Sequence, residues 1–219
     1  MTFSLIGRCA RTGQFGAAVS TSNIAVGSRV PFCAPGIGAV LTQHRTDPRL
    51  GPRGIALLRS GCSAQETVDA LVASTADHAW RQLAAIDAKG RTAFFHGAKV
   101  KPAFNSGQAE DCIAVGNILA NDRVPPAMAE AFAADPSLHL AERLLRGLEA
   151  GLAAGGEHGP VFSAVLLVVH RESFPLVDLR IDSGADPIPR LRALWEEYLP
   201  WMDEFVIRAV EPDRAQGAS

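Results

Sequence analysis

The chain begins "MTFSLIGRCARTGQFGAAVSTSN" (residues 1–23), and this stretch decides the fold. Residues 3–8 and 14–22 are rich in apolar and β-branched side chains and flank the turn sequence "ARTG", so they predict a β-hairpin. Thr2 stands directly behind Met1, at the head of the first predicted strand. It is either an ordinary β-branched strand residue or the nucleophile of an enzyme that uses its own N-terminus.

The rest of the sequence groups strands and helices in pairs. Further strands are predicted at 37–43, 81–87, 91–96, 112–120, 161–169 and 176–182. Helices are predicted at 51–61, 64–74, 123–134, 138–154, around 191–198 and at 201–210. Residues 22–36 and 97–110 are predicted to be irregular. This grouping is not a βαβαβ alternation, so it indicates one α+β domain over 1–210 with antiparallel sheets, followed by a disordered tail at 211–219.

Composition excludes several classes of protein. With 219 residues, 47% hydrophobic and 20% charged, the chain is typical of a soluble globular domain. A net charge of −2 gives no reason to expect nucleic acid or a membrane as partner. No apolar run reaches the ~18 residues of a membrane span, and no secretory signal is recognisable, so we expect a cytoplasmic protein. The histidines and cysteines lack metal-ligand spacing, so we expect no metal and no other cofactor.

Thr2 is the sharpest candidate for catalysis. Once Met1 is removed, Thr2 carries a free α-amine, whose ordinary pKa is about 7.7–8.0. That amine can take the proton from the Thr2 hydroxyl, so the nucleophile needs no separate histidine. The polar residues Ser20 to Asn23 end the second strand of the same hairpin. They either flank Thr2 or form a solvated strand end.

Three further positions are candidates with alternatives left open. Asn117 lies in the apolar stretch "AVGNILA", where its amide either donates to an oxyanion or belongs to a turn or bulge after Gly116. In "TQHRTDPRLGPRG" (42–54), His44 is a general base or a solvated loop residue. Arg53 holds a substrate carboxylate or fixes the loop through carbonyl groups.

Cys33 offers a different nucleophile. It lies in the loop sequence "VPFCAPG", and thiol chemistry there is an alternative to Thr2. No histidine is linked to Cys33 by the sequence. The hypothesis therefore rests on the thiol alone.

Seven stretches in order carry a family resemblance: "TFSLIGR…TGQFGAAVSTSNIAVGSRVP", "GIGAVLTQ", "GPRGIALLRSG", "VGNILA", "AERLL…LEAGLAAGG", "SAVLLVV" and "VDLRID". Together they resemble the DUF1028 family of bacterial proteins, placed in the N-terminal-nucleophile (Ntn) hydrolase superfamily, over residues 2–195. The resemblance implies a four-layer αββα sandwich. It also implies a cofactor-free amidohydrolase acting on a small amide or peptide.

The resemblance also implies roles for individual residues. Thr2 corresponds to the family's threonine near the N-terminus, and Thr21 to a position that is usually serine. Gly116 and Asn117 match the family's Gly-Asn pair. The family's "TQ" and "GPRG" motifs correspond to Gln43 and to the loop that contains Arg53, which adds both to the substrate-binding set.

Departures from the family pattern support a second hypothesis. Residues 103–106 read "AFNS" where the family has a Trp-Ala-Gly-His-like stretch, and 158–162 also differ. The superfamily's proteasome-type members carry a lysine some thirty residues after the nucleophile, where this chain offers only Arg29. The alternative is a non-catalytic binding or assembly protein that keeps the fold. The apolar C-terminal segment with "LPWM" predicts a homo-oligomer.

Overall fold

The structure, a computed structural model, describes residues 1–216. It contains ten strands: β1 Thr2–Arg8, β2 Phe15–Thr21, β3 Pro31–Ala34, β4 Gly38–His44, β5 Arg81–Asp87, β6 Thr92–His96, β7 Phe104–Ala109, β8 Cys112–Asn117, β9 Ser163–Val169 and β10 Val177–Ile181. They form a six-stranded sheet in the order β10-β9-β2-β1-β8-β7 and a four-stranded sheet in the order β3-β4-β5-β6. Every pairing is antiparallel, so the chain is a mixed α/β protein with antiparallel sheets.

The helices cover the outward faces of the two sheets. They are α1 Leu50–Arg59, α2 Ala64–Ala73, α3 Val124–Ala133, α4 Leu140–Ala153, α5 Pro187–Tyr198 and α6 Met202–Val210. Helices α1 and α2 pack on the four-stranded sheet, whereas α3, α4 and α5 pack on the six-stranded sheet. The inward faces of the sheets pack against each other through a third apolar cluster. Ser63 and Glu66 form a capping box at the start of α2.

The opening hairpin lies at the centre of the larger sheet. In β1, Phe3 and Leu5 belong to the cluster under the helices, while Ile6 belongs to the cluster between the sheets. This alternation buries both faces of β1, as expected for a strand flanked by β2 and β8. A Cβ at Gly16 of β2 would lie 2.6 Å from the carbonyl oxygen of Leu167, so only glycine fits there.

Two segments that the sequence predicts to be irregular contain strands. Residues 22–36 include β3, which begins at Pro31, and 97–110 include β7. Both are edge strands, where pairing on one side suffices and hydrophobic alternation is weak. The strand predicted at 112–120 stops at Asn117, because Ile118 has a left-handed φ of 53° that breaks the extended backbone.

The C-terminal part ends in short turns. Within the predicted tail, Pro212–Arg214 form a turn of 3-10 helix, and residues 217–219 lie outside the described residues. No helix in 1–216 is both long enough and apolar enough to cross a bilayer.

Substitution of Gly107 tests the close packing of β7 against α3. A Cβ at this position would lie 2.4 Å from the carbonyl oxygen of Pro125 in α3, and backbone cannot move aside as a flexible side chain does. We expect Gly107→Ala to lower the free energy of unfolding by about 1–3 kcal/mol. Urea denaturation measures the change.

The matched control is Gly159→Ala, whose new Cβ would meet only the Met1 Cε atom, at 3.9 Å. We expect its free energy of unfolding to stay within about 0.5 kcal/mol of the wild type. Equal stability of the two variants would contradict the close approach of β7 to α3.

Candidate active site

Three polar side chains form a row across adjacent strands of the larger sheet. Thr2 pairs with Asn117 in the register of β1 and β8. Phe3 pairs with Ser20, which places Thr21 beside Thr2 on β2. Side chains opposite one another on neighbouring strands share a face. Thr21, Thr2 and Asn117 therefore all face the four-stranded sheet, at one end of the space between the sheets.

The two threonines hold the N-terminal residue. Their Oγ1 atoms lie 3.3 Å apart, and each hydroxyl donates a hydrogen bond to the carbonyl oxygen of Met1. Both side chains are buried. The structure thus confines the main chain at the junction of Met1 and Thr2 between two hydroxyl groups.

A second polar row faces the first from the four-stranded sheet. Gln43, Gln82 and His96 pair in register on β4, β5 and β6. The Gln82 Oε1 atom accepts hydrogen bonds from Gln43 Nε2 at 2.6 Å and from Asn117 Nδ2 at 2.8 Å. Its Nε2 atom donates to the carbonyl of Gly116 and to His96 Nδ1, both at 2.8 Å. One glutamine amide therefore joins the two sheets.

This network leaves two buried acceptor or donor atoms without partners among residues 1–216: Asn117 Oδ1 and His96 Nε2. Burial lowers the pKa of His96 to about 4, so the imidazole is neutral near pH 7. Because His96 Nδ1 accepts from Gln82, the ring proton lies on Nε2. Unpartnered buried polar atoms of this kind are rare and often mark functional positions.

A cavity of about 630 Å³ opens beside Thr2. This volume is within the range of small-molecule sites. The lining combines the N-terminal residues, polar side chains, basic side chains and a small apolar wall: Met1, Thr2, Thr21, Asn23, Ile24, Val26, Arg29, Val30, His44, Arg45, Thr46 and Arg81. Thr2 therefore borders a space that a small substrate can enter.

Behind the N-terminus lies a buried carboxyl group. Glu157 accepts a hydrogen bond at Oε2 from the Ser22 N–H at 3.1 Å, and its Oε1 has no partner in the described part of the chain. Burial raises the pKa of Glu157 to about 7, against the opposing effects of the N-terminal amine and of Ser22. Burial also lowers the pKa of the Met1 amine; Glu157 opposes this shift and Lys101 adds to it.

His44 lines the cavity, but both of its ring nitrogens are engaged with backbone groups. Nδ1 donates to the Trp80 carbonyl at 2.9 Å, and Nε2 accepts from the Lys101 N–H at 3.4 Å. Burial lowers the pKa of His44, so the ring is neutral near pH 7. Its φ of 69° turns the chain out of β4 and into the basic loop that begins with Arg45.

The structure separates the residues predicted for substrate binding. Thr21 and His44 line the cavity, whereas Gln43 and Gly116 lie in the network between the sheets. Arg53 lies elsewhere: it is on α1 and donates to Ser74 Oγ at 2.6 Å and to the Ser74 carbonyl at 3.2 Å.

The placement of Arg53 corrects the hypothesis that it holds a substrate carboxylate. Its guanidinium instead ties α1 to the end of α2, in line with the alternative of fixing local structure through carbonyl groups. The sequence predicts that Arg53 belongs to a helix at 51–61, but it does not reveal that the Arg53 side chain is directed to Ser74 and not to the cavity.

Cys33 is also remote from this chemistry. It lies on β3 and does not line the cavity. Burial raises the pKa of its thiol, and the Asp178 carboxylate adds to this shift, so the reactive thiolate is disfavoured. Among residues 1–216, no cluster of three histidine, cysteine or carboxylate side chains is placed to hold a metal ion.

Sequence reasoning did not assign the partners that organise the site. Gln82 carried a signal, because it precedes Ala84 and Ile86 at the buried, alternate positions of "RQLAAID". A polar residue in such a position must find a buried partner. Arg81 and the burial of Glu157 depend on long-range packing, for which no local pattern exists.

Comparisons with known proteins include a strong likeness to a solved structure. No curated protein matches the chain. The crystal structure of a DUF1028 protein from Silicibacter pomeroyi is 33% identical, with a TM-score of 0.84, over 90% of this chain and 85% of that one.

Two further structures are much weaker matches. Anbu (ancestral beta-subunit) from Yersinia bercovieri is 11% identical, with a TM-score of 0.41, over 99% of both chains. An Anbu (Gly-1) mutant from Hyphomicrobium sp. strain MC1 is 12% identical, with a TM-score of 0.44, over 100% of both chains.

The family assignment rests on the match along the chain. Residues 2–191 match the family described as a family of unknown function, DUF1028. This agrees with the ordered motifs of the sequence and with the likeness to the Silicibacter pomeroyi protein. The chain therefore belongs to the DUF1028 family.

Proposed function

We propose that this protein is an amide hydrolase that uses Thr2 as an N-terminal nucleophile on a four-layer αββα sandwich of the Ntn-hydrolase type. The observation that carries the proposal is the place of Thr2. It is the first residue of a central strand and lies on a cavity of substrate size. Two sheets with helices on their outward faces are the arrangement that such a sandwich requires.

The proposed reaction begins after Met1 is removed. The Thr2 α-amine takes the proton of the Thr2 hydroxyl while Oγ1 attacks the amide carbon. The C–N bond then breaks, the leaving amine takes up that proton, and an ester to Thr2 remains. Water hydrolyses the ester, releases the acid and restores the hydroxyl. The reaction needs no cofactor.

The local electrostatics support the amine as the base. Burial lowers the pKa of the amine at the present N-terminus, and this effect outweighs the opposing effect of the Glu157 carboxylate. A Thr2 amine would begin one residue deeper in the same surroundings. A lowered pKa increases the neutral fraction near pH 7, and only the neutral amine accepts a proton.

Asn117 is the proposed oxyanion donor. Its side chain shares a face with Thr2, directly opposite on β8. One Nδ2 hydrogen bond goes to Gln82 Oε1, which fixes the orientation of the amide. The second Nδ2 proton is then the donor for the negative oxygen that develops during attack. The 43–47 loop contributes His44 and Arg45 to the cavity wall and positions the substrate.

The alternative function, a non-catalytic binding or assembly protein, is supported by the departures from the family pattern at 103–106 and 158–162. With Met1 in place, the Thr2 hydroxyl donates to the Met1 carbonyl, yet the cavity beside it remains. A chain that retains Met1 would bind a small molecule without attacking it. The two functions differ in whether the N-terminus is processed.

Substitution of Thr2 tests the nucleophile. We expect Thr2→Ala to lower kcat on a hydrolysed amide by more than about a thousandfold, because the hydroxyl is lost, while Thr2→Ser keeps measurable activity. Intact mass establishes that Met1 is absent from each protein before the rates are compared.

The matched control is Thr12→Ala, at the turn of the same hairpin and far from the cavity. It is expected to keep the wild-type rate. Full activity of Thr2→Ala, or wild-type activity in protein that retains Met1, would exclude Thr2 as an N-terminal nucleophile.

We expect Glu157 to make the free energy of unfolding depend on pH. Its folded pKa of about 7 lies above the ordinary value, so ionising it costs more in the folded than in the unfolded chain. As pH rises from about 4.5 to about 7, we expect the wild type to lose stability relative to Glu157→Gln, by on the order of 1–3 kcal/mol. Urea denaturation across this pH range measures the difference.

The control for this series is Glu110→Gln, which removes an exposed carboxylate. The difference in free energy of unfolding between this variant and the wild type should not change across the pH range. A flat difference for Glu157→Gln as well would show that Glu157 ionises normally in the folded protein.

We also propose that the chain forms a homo-oligomer through its C-terminal helices. Leu199, Trp201 and Phe205 are 46%, 48% and 41% exposed in the single chain. We expect light scattering of the purified protein to give a multiple of the monomer mass. The variant Trp201→Glu is expected to lower this mass towards that of the monomer. A monomeric wild type would refute this proposal.

A further inference from the structure

The geometry points to a substrate that carries both an amide and a carboxylate. The arginines of the cavity beside Thr2 hold the carboxylate. The inference rests on the proposed function for the bond that is broken, and it adds the chemical class of the molecule. An N-acylated amino acid is the simplest member of that class. It carries one amide, one carboxylate and no free amine.

The charges on the cavity wall are of one sign. Arg29, Arg45 and Arg81 line it, and no carboxylate does so among its described lining residues. Low-dielectric walls concentrate such a field, which attracts anions and repels cations. A substrate with a free ammonium group would meet these positive charges, so an acylated nitrogen fits better than a free one.

Arg29 and Arg45 keep their charge available. Arg29 Nη1 donates to the carbonyls of Ile24 and Ala25 at 2.7 and 2.8 Å, which holds the side chain in place. Arg45 lies over the Trp80 ring, 5.3 Å from its centre. Neither arginine forms an ion pair with a carboxylate within 1–216. A guanidinium so placed is suited to bind a carboxylate through two parallel hydrogen bonds.

Arg81 is only partly neutralised. Its Nη2 atom lies 3.9 Å from Asp47 and 3.7 Å from Asp77, while Asp47 is bonded more closely by Arg49 at 2.8 Å. The Arg81 side chain is 11% exposed, and its Nε atom is buried without a hydrogen-bond partner in the described residues. An unsatisfied buried donor on a cavity wall favours an acceptor in the ligand.

The apolar part of the lining accommodates the remainder of the molecule. Val26 and Val30 are buried apolar residues of the lining, and Ile24 beside them is 63% exposed. These side chains favour an apolar amino-acid side chain. The cavity thus presents cationic groups for a carboxylate, apolar contact for a side chain and the Thr2 hydroxyl for an amide.

Matched ligand pairs test this inference. The probes are N-acetyl-leucine, N-acetyl-phenylalanine and N-acetyl-alanine, each as the free acid and as its carboxamide, which differ only in the charged group. Binding is measured by calorimetry on Met1-free Thr2→Ala protein, which cannot hydrolyse them. We expect at least one acid to bind about tenfold more tightly than its amide, with the preference weakening as salt rises.

Arginine variants locate the binding group. Arg45→Gln and Arg29→Gln, each made in the Thr2→Ala background, are expected to reduce the preference for the acid severalfold. Arg53→Gln is the matched control, because this arginine lies on α1 away from the cavity. It should leave the preference unchanged.

The outcomes separate this inference from the proposed function. Equal binding of every acid and its amide, no binding of any acid, or a preference unaffected by both Arg45→Gln and Arg29→Gln would overturn the carboxylate inference. A preference for the acid in Thr2→Ala, with no hydrolysis by the wild type, would support the inference and refute the hydrolase.

Discussion

The side-chain amide of Gln82 is the contact on which the arrangement of the candidate site depends. It bonds to Gln43 within its own sheet and to Asn117 and Gly116 of the facing sheet. Gln43 adds a second polar link, because its Oε1 accepts from Ser4 Oγ of the larger sheet at 2.7 Å. Beyond these side chains the sheets meet through apolar residues, which resist separation but tolerate sliding. Directional hydrogen bonds at one end fix the register of the two sheets and the orientation of the Asn117 amide, which lies beside Thr2 in the larger sheet.

Much of the fold was predictable because its central elements have strong local signals. The opening hairpin and the helices predicted at 64–74 and 138–154 all follow from side-chain periodicity. The edge strands β3 and β7 were not predicted, since one-sided pairing places little demand on composition. The same holds for the end of β8, where Ile118 adopts a conformation that its sequence disfavours.

The site was predictable only where its residues are close in sequence or unusual in their surroundings. Thr2 and Thr21 lie at the open end of the same hairpin, and Asn117 carries a polar amide in an otherwise apolar strand. Glu157 and Arg81 reach the N-terminus through packing across the chain, which no motif encodes. Their effects, a carboxyl with a raised pKa and a cationic wall, exist only in the folded protein.

The place of β1 has a consequence for the order in which the protein is made. This strand is synthesised first, but its hydrogen bonds to β8 require residues 112–117. Until then it has only β2 as a partner, and two strands alone are marginally stable in water. The N-terminus therefore stays accessible to enzymes that trim nascent chains while the first half of the polypeptide emerges from the ribosome. Under the proposed function, removal of Met1 and completion of the sheet would then be separated in time, and the sheet would enclose an end that is already processed.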